Sequence, residues 1–373
     1  MIEIQLLAPV SHFVSDFYVS FLTPLAPYLM NKYRVEAKDI ALFITLISFI
    51  SSVFQILFGL LAQKVSNTNK FIYILTVVTV LMISIIEFAP NILVLFIIFI
   101  IAYFANSAFH PAGAALVHGK SKKAMPFFVS AGTLGAALGP IFITVFSSKL
   151  GLKFLWIVGL PIIFVMALMV RNETSDRSAI SVNHQRMTGI QKRLLLSLWL
   201  LVTIRTLVMS IAHLYAPIIS TQKGFSLVFG GSLLSVGVGV GVLTTVLGAS
   251  LSNRFGNHVV NFISFLGMAL ALVILVSSAS KVLMLVSYIL MDGFGYLTMS
   301  SNLSHAQAGL PNHTSFASSV VMGFAWACGT GLRFFLIIPF GNATDTLFYV
   351  TASISFLMAF VVFLGGRRYL AVG

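Results

Sequence analysis

The sequence predicts an all-α integral membrane protein with twelve transmembrane helices in two pseudo-symmetric six-helix bundles. The composition, the spacing of the apolar stretches and a weak internal repeat lead to this prediction. Of the 373 residues, 58% are hydrophobic and only 8% are charged, and the mean hydropathy is +1.03. Because a soluble domain keeps about a quarter of its residues charged, a chain this long could not cover its surface in water. The composition therefore excludes a soluble enzyme, a nucleic-acid-binding domain and a disordered protein.

The net charge of +13 fits the same class of protein. The chain has 22 Lys and Arg residues against 9 Asp and Glu residues. In a membrane protein such an excess is typical of cytoplasmic loops beside anionic lipid headgroups, so we expect no nucleic-acid partner. The single cysteine, Cys328, excludes a disulfide framework and a cysteine-based metal site.

Twelve stretches of the chain are long and apolar enough to cross a bilayer, which takes about 20 residues at a rise of about 1.5 Å each. They run approximately over residues 8–30, 39–62, 70–89, 92–117, 125–147, 152–170, 193–219, 226–250, 259–277, 282–308, 315–340 and 346–364. The connections are short except for 171–192, a polar segment that separates six spans from six. We therefore predict an N-terminal bundle over 1–170, a cytoplasmic linker over 171–192 and a C-terminal bundle over 193–373.

The distribution of basic residues predicts the orientation of these spans. Thirteen Lys and Arg residues fall in the loops on one side and seven on the other, while Arg205 and Arg333 lie inside spans. The richer side should be cytoplasmic. The first apolar run has no basic n-region and no small-residue cleavage site, so we expect a retained span rather than a signal peptide. These observations predict a multi-pass protein of a prokaryotic inner (cytoplasmic) membrane with both termini in the cytoplasm.

The two halves of the chain share a weak internal repeat. Pro27 recurs as Pro217 and Lys64 recurs as Arg254, both at an offset of 190 residues. Parallel repeats of six spans are typical of secondary transporters. A channel or a membrane enzyme has no particular reason for this duplication.

Three motifs give the chain a family resemblance. The first span carries His12 and Asp16 one helical turn apart. The fourth span ends in FHPAGAALV over 109–117, and the fifth reads FFVSAGTLGAALGP over 127–140. With these motifs the chain resembles the major facilitator superfamily and, within it, the fosmidomycin-resistance branch. The resemblance implies two six-helix bundles, alternating access, and proton-coupled export of a small polar compound.

The loop between the second and third spans departs from the family pattern. Superfamily members usually carry G-x-L-x-D-R-x-G-R there, whereas this chain reads GLLAQKVSN over 59–67. The acidic position is an amide, Gln63, and its counterpart in the second half is also an amide, Asn253. We therefore expect a gate that depends on hydrogen bonds rather than on charge contacts. Its predicted residues are Gln63, Lys64, Asn253 and Arg254.

A small-residue motif in the fifth span is the other gating candidate. Gly135 and Gly139 lie one turn apart and permit close helix contact. Pro140 removes a backbone donor and bends the helix. This resembles the core of the antiporter motif of drug exporters, and the alternative is a role in tight packing alone.

His12, Asp16 and His110 are the proton-coupling candidates. A charged group at the bilayer centre is costly, so it persists when it is paired, hydrated or functional. Asp16 lies about 12 Å into the first span, with His12 one turn below it, and His110 lies about 10 Å from the same side. The resemblance implies that the first and fourth spans line one cavity, so the three side chains could meet. The alternative is a hydrogen-bonded cluster that only fixes helix packing.

Arg205 is the leading substrate-binding candidate. It lies about 18 Å into the seventh span, close to mid-membrane. A guanidinium fork binds a carboxylate, phosphate or phosphonate bidentately. The alternative is a structural pair, for example with Asp16 across the interface between the bundles. Weaker substrate-binding candidates are the polar and aromatic span residues Tyr18, Gln55, His213, Tyr296 and Trp326.

Asp292 and Arg333 are predicted to form a structural ion pair. They lie at similar depths in the tenth and eleventh spans, about 15 Å and about 10 Å from the outer end. A paired charge is stable inside a bundle without any role in transport.

We predict a secondary active transporter, namely a proton-coupled exporter (antiporter) of a small polar or anionic compound, of the efflux type associated with drug resistance. The alternative is an uptake symporter or exchanger for a small organic anion such as a carboxylate or a sugar phosphate. A non-transporting receptor could lose the intramembrane charges, so their presence argues against one. We expect no enzymatic activity, no cofactor and no metal site, because the sequence has no Ser-His-Asp array, metal-ligand cluster or phosphate loop. The expected partners are the substrate, protons and the lipid bilayer, and the expected state is a monomer.

Overall fold

The computed structural model describes residues 6–62, 65–117, 124–171 and 187–365, and within these ranges it contains helices and no strands. The helices are α1 (Leu7–Val19), α2 (Ala26–Tyr33), α3 (Ala37–Ala62), α4 (Thr68–Ser84), α5 (Ile92–Val117), α6 (Ala124–Lys149), α7 (Trp156–Arg171), α8 (Gly189–Gln222), α9 (Leu227–Phe255), α10 (Asn257–Ser277), α11 (Lys281–Leu297), α12 (Met299–Gly309), α13 (Thr314–Ser318), a π-helix (Ser319–Phe324), α14 (Ala325–Phe340) and α15 (Thr344–Gly365). Three short 3₁₀ turns complete the described structure.

The predicted all-α membrane class is confirmed. Ten segments of the described chain are long and apolar enough to cross a membrane, and α4 is a shorter apolar helix of 17 residues. The remaining predicted span, 8–30, consists of α1 and α2 with a turn between them. Pro24 lies in this turn and Pro27 near the start of α2, and neither can donate a backbone hydrogen bond, which accounts for the interruption.

The chain forms two compact units. The first unit comprises Met1–Val35, Leu46–Ile180 and Leu227–Ser235. In it α1 packs against α6, α4 and α5, and α4 also packs against α7. A cluster of buried apolar side chains fills the junction of α1, α4, α5 and α6. Its members are Leu7, Ala8, Ile72, Phe109, Ala112, Leu116, Val117 and Phe128.

The second unit comprises Glu36–Thr45, Ser181–Ser226 and Val236–Gly373. Here α10 packs against α15 and α11, and α8 packs against α14 and α15. Three buried asparagines join α10 to α12: Asn302 Oδ1 accepts from Asn257 and from Asn261 at 2.9 Å, and Asn302 Nδ2 donates to Asn261 Oδ1 at 3.1 Å. These bonds satisfy amide groups that would be costly to bury alone.

Each unit also contains a short segment from the other half of the sequence. Ser235 belongs to the first unit, where its Oγ accepts a hydrogen bond from the Ile141 amide at 3.0 Å. Lys38 belongs to the second unit, where its amide donates to Asn342 Oδ1 at 2.9 Å. The predicted division into 1–170, 171–192 and 193–373 stays a prediction.

Candidate functional site

The candidate site in the first unit begins with two residues of α1. His12 and Asp16 are four residues apart and therefore share one helix face. His12 Nε2 lies 3.1 Å from Asp16 Oδ2. The His12 side chain is 8% exposed and the Asp16 side chain 20% exposed. This is a mostly buried acid–imidazole contact with an opening on the Asp16 side.

Helix α5 adds two further polar side chains to this contact. His110 Nε2 lies 3.4 Å from Asp16 Oδ1 and 3.0 Å from Asn106 Oδ1. Asn106 Nδ2 in turn donates to Asp16 Oδ1 at 3.0 Å. The structure thus brings the three predicted coupling candidates together. Sequence reasoning did not single out Asn106, although it lies one turn before His110 on the same helix.

Helix α6 fixes the orientation of the His12 ring. His12 Nδ1 donates to the backbone carbonyl of Phe128 at 2.8 Å, and the two rings stack with centroids 4.1 Å apart. Gly132, one turn further along α6, lies against the same imidazole, and a Cβ at this position would overlap it. A larger residue at 132 would therefore displace His12. Neither Phe128 nor Gly132 was singled out from the sequence as a site residue.

These contacts constrain where protons lie in the cluster. A carbonyl oxygen only accepts, so His12 Nδ1 carries a hydrogen. His12 Nε2 then presents either a second hydrogen or a lone pair to the Asp16 oxygen 3.1 Å away. Two lone pairs at that distance repel each other, so the contact is favourable when a cation, in the simplest case a proton, lies between them.

The same three residues also form a group of the metal-ligand type. One possible ligand atom from each of His12, Asp16 and His110 lies within 4.8 Å of the other two. The expectation that the chain has no metal site stays a prediction. The family resemblance implied that these three side chains could meet, but the spacing along the chain shows no metal-ligand pattern, because His110 comes from a helix far away in sequence.

The glycines predicted for gating lie in the contact between α6 and α1. A Cβ at Gly135 would overlap the backbone carbonyl of Phe13, and one at Gly139 would lie 2.5 Å from the carbonyl of Phe17. These two helices can therefore approach only because neither position has a side chain. Pro140 follows within α6. This arrangement accounts for close packing, and the gating role stays a prediction.

Arg205 lies in α8 of the second unit and is 3% exposed. Its Nη1 donates a long hydrogen bond of 3.5 Å to the carbonyl of Gly295, and its guanidinium carbon lies 5.7 Å from the centre of the Trp326 ring. Tyr296 is close enough to interact with it electrostatically. Arg205 Nε has no hydrogen-bond partner. Two predicted substrate-binding residues, Tyr296 and Trp326, thus lie near the Arg205 guanidinium, which makes one long hydrogen bond and leaves Nε without a partner among the described residues.

The partner of Asp292 differs from the predicted one. Asp292 is fully buried in α11, and its Oδ1 lies 2.5 Å from His213 Nε2 on α8. Arg333, on α14, donates through Nε to the carbonyl of Thr330 at 3.2 Å and through Nη1 to that of Ser210 at 3.4 Å. Among the described residues, the ion pair of Asp292 is with His213 and not with Arg333. The physical reason is that α14, which carries Arg333, packs mainly against α8. The tenth and eleventh spans follow one another in sequence, but this order does not bring Asp292 and Arg333 together.

The remaining predicted residues lie apart from these clusters. Tyr18 is fully buried beside Phe17 and Phe21, and Gln55 is half-buried on α3. Asn253 and Arg254 are exposed in the last turn of α9. Gln63 and Lys64 lie outside the described residues.

Comparisons with known proteins agree with this fold. A family model described as Major Facilitator Superfamily matches residues 10–334. No curated protein matches the chain in sequence. The narrower resemblance to the fosmidomycin-resistance branch stays a prediction.

Three solved structures illustrate the likeness. The nucleoside transporter NupG is 15% identical, with 97% of this chain and 98% of that chain covered and a TM-score of 0.74. A bacterial homolog of the human lysosomal transporter Spinster is 16% identical (98% and 97% covered, TM-score 0.76). The POT family transporter PepTSo is 10% identical (99% and 98% covered, TM-score 0.77). At these identities the likeness shows the fold alone. With the family match over residues 10–334, the chain belongs to the Major Facilitator Superfamily and is a multi-pass membrane transporter with the fold of that family.

Proposed function

We propose that this transporter is a proton-coupled exporter of a small polar or anionic compound, that it works by alternating access, and that it takes up its coupling proton at His12, Asp16 and His110. One observation carries the proposal. His12 directs Nε2 at the Asp16 carboxylate while its Nδ1 hydrogen is already engaged by Phe128. The contact is therefore favourable with a proton between the two groups and unfavourable without one.

The exposure of the cluster supports a proton that exchanges rather than one that is permanently held. His110 is 31% exposed and Asp16 is 20% exposed, so the cluster is not sealed inside the unit. Loss of the proton from His12 would leave a lone pair facing the carboxylate and push the two groups apart. Because α1 carries both residues and α5 carries His110 and Asn106, such a change would alter the contact between two helices. This is the kind of element that a coupled transporter needs, since the proton biases one arrangement over another.

The surroundings of Arg205 support an anionic substrate. No carboxylate among the described residues forms an ion pair with Arg205, and Nε has no hydrogen-bond partner. A charge with so little compensation is costly inside a membrane protein. A carboxylate, phosphate or phosphonate would accept hydrogen bonds from the guanidinium fork and neutralise it. Trp326, 38% exposed, would offer an aromatic face beside the bound group.

The second candidate function is uptake, by symport or exchange, of a small organic anion such as a carboxylate or a sugar phosphate. Arg205 favours this candidate as much as it favours export, because an anchor for an anion carries no information about direction. The two candidate functions share the proton site. They differ in whether the proton and the substrate cross the membrane in opposite directions or in the same direction.

Proteoliposomes with a pH-sensitive dye inside test the proton coupling directly. Candidate monocarboxylates, sugar phosphates and phosphonates are added outside, and the internal pH is recorded for the wild type and for Asp16→Asn. We expect a substrate-dependent proton flux with the wild type and none with the variant. An equal flux with both proteins would contradict the proposed proton site.

Everted and right-side-out membrane vesicles then separate export from uptake. With protons accumulated inside everted vesicles, an exporter should concentrate the substrate inside them. With an outside-acid gradient on right-side-out vesicles, a symporter should do the same there. Accumulation in the right-side-out vesicles alone would contradict export and support uptake.

We also propose that the protein is a monomer of the inner membrane with both termini in the cytoplasm, in line with its basic loops. Fusion of a periplasm-dependent and a cytoplasm-dependent reporter to each terminus tests the orientation. Activity of the periplasm-dependent reporter at either terminus would contradict it.

A further inference from the structure

We propose that His12, Asp16 and His110 form a binding site for a divalent transition-metal ion such as Zn²⁺, which competes with protons for the same three side chains. The inference goes beyond the proposed function, because it requires neither a particular substrate nor a direction of transport. It rests on the geometry of the cluster, on the orientation of His12 and on the chemistry of the ligands.

The spacing of the ligand atoms suits a tetrahedral ion. With metal–nitrogen and metal–oxygen distances of about 2.0–2.2 Å, neighbouring ligand atoms of a tetrahedral site lie about 3.4 Å apart. The two contacts to Asp16 reach different carboxylate oxygens, at 3.1 Å from His12 Nε2 to Oδ2 and at 3.4 Å from His110 Nε2 to Oδ1. All three ligand atoms can be chosen within 4.8 Å of one another. Small side-chain rotations would therefore place an ion between them.

His12 already has the outer contact that metal-binding histidines usually make. A ligating imidazole typically donates its other ring N–H to a carbonyl or carboxylate, which fixes the tautomer and points the lone pair at the metal. His12 does this through Nδ1 to the Phe128 carbonyl at 2.8 Å. Stacking on Phe128 and the missing side chain of Gly132 hold the ring in this orientation. Helix α6 thus preorganises the His12 ligand of α1, while His110 comes from α5.

The ligand set selects the class of metal. Two imidazoles and one carboxylate suit Zn²⁺, Co²⁺, Ni²⁺ and Cu²⁺, whereas Mg²⁺ and Ca²⁺ prefer oxygen ligands throughout. A fourth position remains, since Asp16 and His110 are partly exposed. Water can fill it, or Asn106 Oδ1, which lies 3.0 Å from His110 Nε2, can do so after a small movement.

Metal and proton exclude each other at His12. A metal ion needs the lone pair of His12 Nε2, so its binding releases any proton held there, and binding should weaken as the pH falls. The groups in contact with the ligands include Asn106, Phe109 and Phe128, none of which titrates. A bound ion would also link α1 to α5, and it would replace the exchangeable proton with a cation that exchanges more slowly.

Cobalt binding to the purified full-length protein in detergent tests the site. We expect one Co²⁺ per chain with the visible absorption of a tetrahedral complex, displaced by Zn²⁺ and weakened at lower pH. His12→Gln, Asp16→Asn and His110→Gln should each lower the affinity about tenfold or more, and Gly132→Ala should lower it about 10–100-fold by moving the His12 ring. The matched control is His305→Gln, which removes a histidine outside the cluster and should leave binding unchanged.

A thiol in place of one histidine gives a readout that a folding defect cannot imitate. In a Cys328→Ser background, His110→Cys should retain Co²⁺ and add a sulfur-to-cobalt charge-transfer band. Absence of tetrahedral Co²⁺ absorption in the wild type would overturn the proposal, as would binding that survives all three ligand substitutions. A thiol variant that binds cobalt without the charge-transfer band would show that residue 110 is not a ligand. These readouts need no transport. They can therefore contradict the metal site while the proposed function stands, and transport assays can contradict the proposed function while the metal site stands.

Discussion

Asp292 Oδ1 and His213 Nε2 lie 2.5 Å apart inside the second compact unit, with Asp292 fully buried and its Oδ2 without a hydrogen bond. Gly237 lies against the same carboxylate, and a Cβ there would overlap Oδ2. Each unit therefore holds an acid–imidazole contact, at His12 and Asp16 in one and at His213 and Asp292 in the other. In the first contact the Asp16 carboxylate is 20% exposed, whereas in the second the Asp292 carboxylate is fully buried and only His213 is partly exposed.

The pairing of Asp292 with His213 predicts the outcome of a double-mutant cycle. His213→Gln should destabilise by about 3–5 kcal/mol, because it leaves an uncompensated carboxylate in a buried position. Adding Asp292→Asn should recover part of the loss, with a coupling of about 0.5–3 kcal/mol. Thermal or denaturant unfolding in detergent measures both. The matched cycle with Arg333→Gln should show weaker coupling, and stronger coupling there would favour the pair predicted from sequence.

The proton proposal predicts a specific separation of activities in Asp16→Asn. A neutral amide at this position imitates the protonated carboxylate permanently, so the variant should still exchange substrate across the membrane but fail to concentrate it. Counterflow and proton-driven accumulation, measured side by side in proteoliposomes, test this. If accumulation persists with an unchanged pH dependence, Asp16 is not the coupling residue and the cluster serves packing.

The anion-anchor proposal predicts graded effects at Arg205. Arg205→Ala should weaken binding by about 1.5–3 kcal/mol for each charge-assisted hydrogen bond that is lost. Arg205→Lys should recover only part, because a point charge cannot reproduce the guanidinium fork. Equilibrium binding of the transported compound measures the loss, and unchanged unfolding serves as the control. Normal binding by the Ala variant would assign Arg205 a structural role.

The contact between α1 and α6 predicts strong sensitivity at its glycines. Gly135→Ala places a Cβ against the Phe13 carbonyl and should destabilise by about 1–3 kcal/mol, the range typical of overpacking. Gly239→Ala is the matched control, because a Cβ there meets nothing within 4 Å. That change should be neutral or slightly stabilising, since Ala favours a helix by about 1 kcal/mol over Gly. Equal unfolding temperatures for the two variants would contradict the packing account.

The side chains that share a face of one helix could be predicted from the sequence, because their spacing depends only on helix geometry. A spacing of four residues places His12 and Asp16 on one helix face in any α-helix. A glycine pair one turn apart marks a face that permits close approach, and Gly135 and Gly139 do face the backbone of α1.

The sequence by itself determined the membrane class and the helical stretches, because bilayer thickness and backbone hydrogen bonding dictate them. The family resemblance implied that His110 could meet Asp16, whereas only the tertiary structure decided that Asn106 joins them and that Asp292 meets His213 rather than Arg333. The physical reason is that lipid-facing and helix-facing surfaces of a transmembrane helix are both apolar, so hydropathy predicts a span without predicting its neighbours. Those neighbours follow from side-chain packing between helices distant in sequence, and the contact of α14 with α8 is the clearest case.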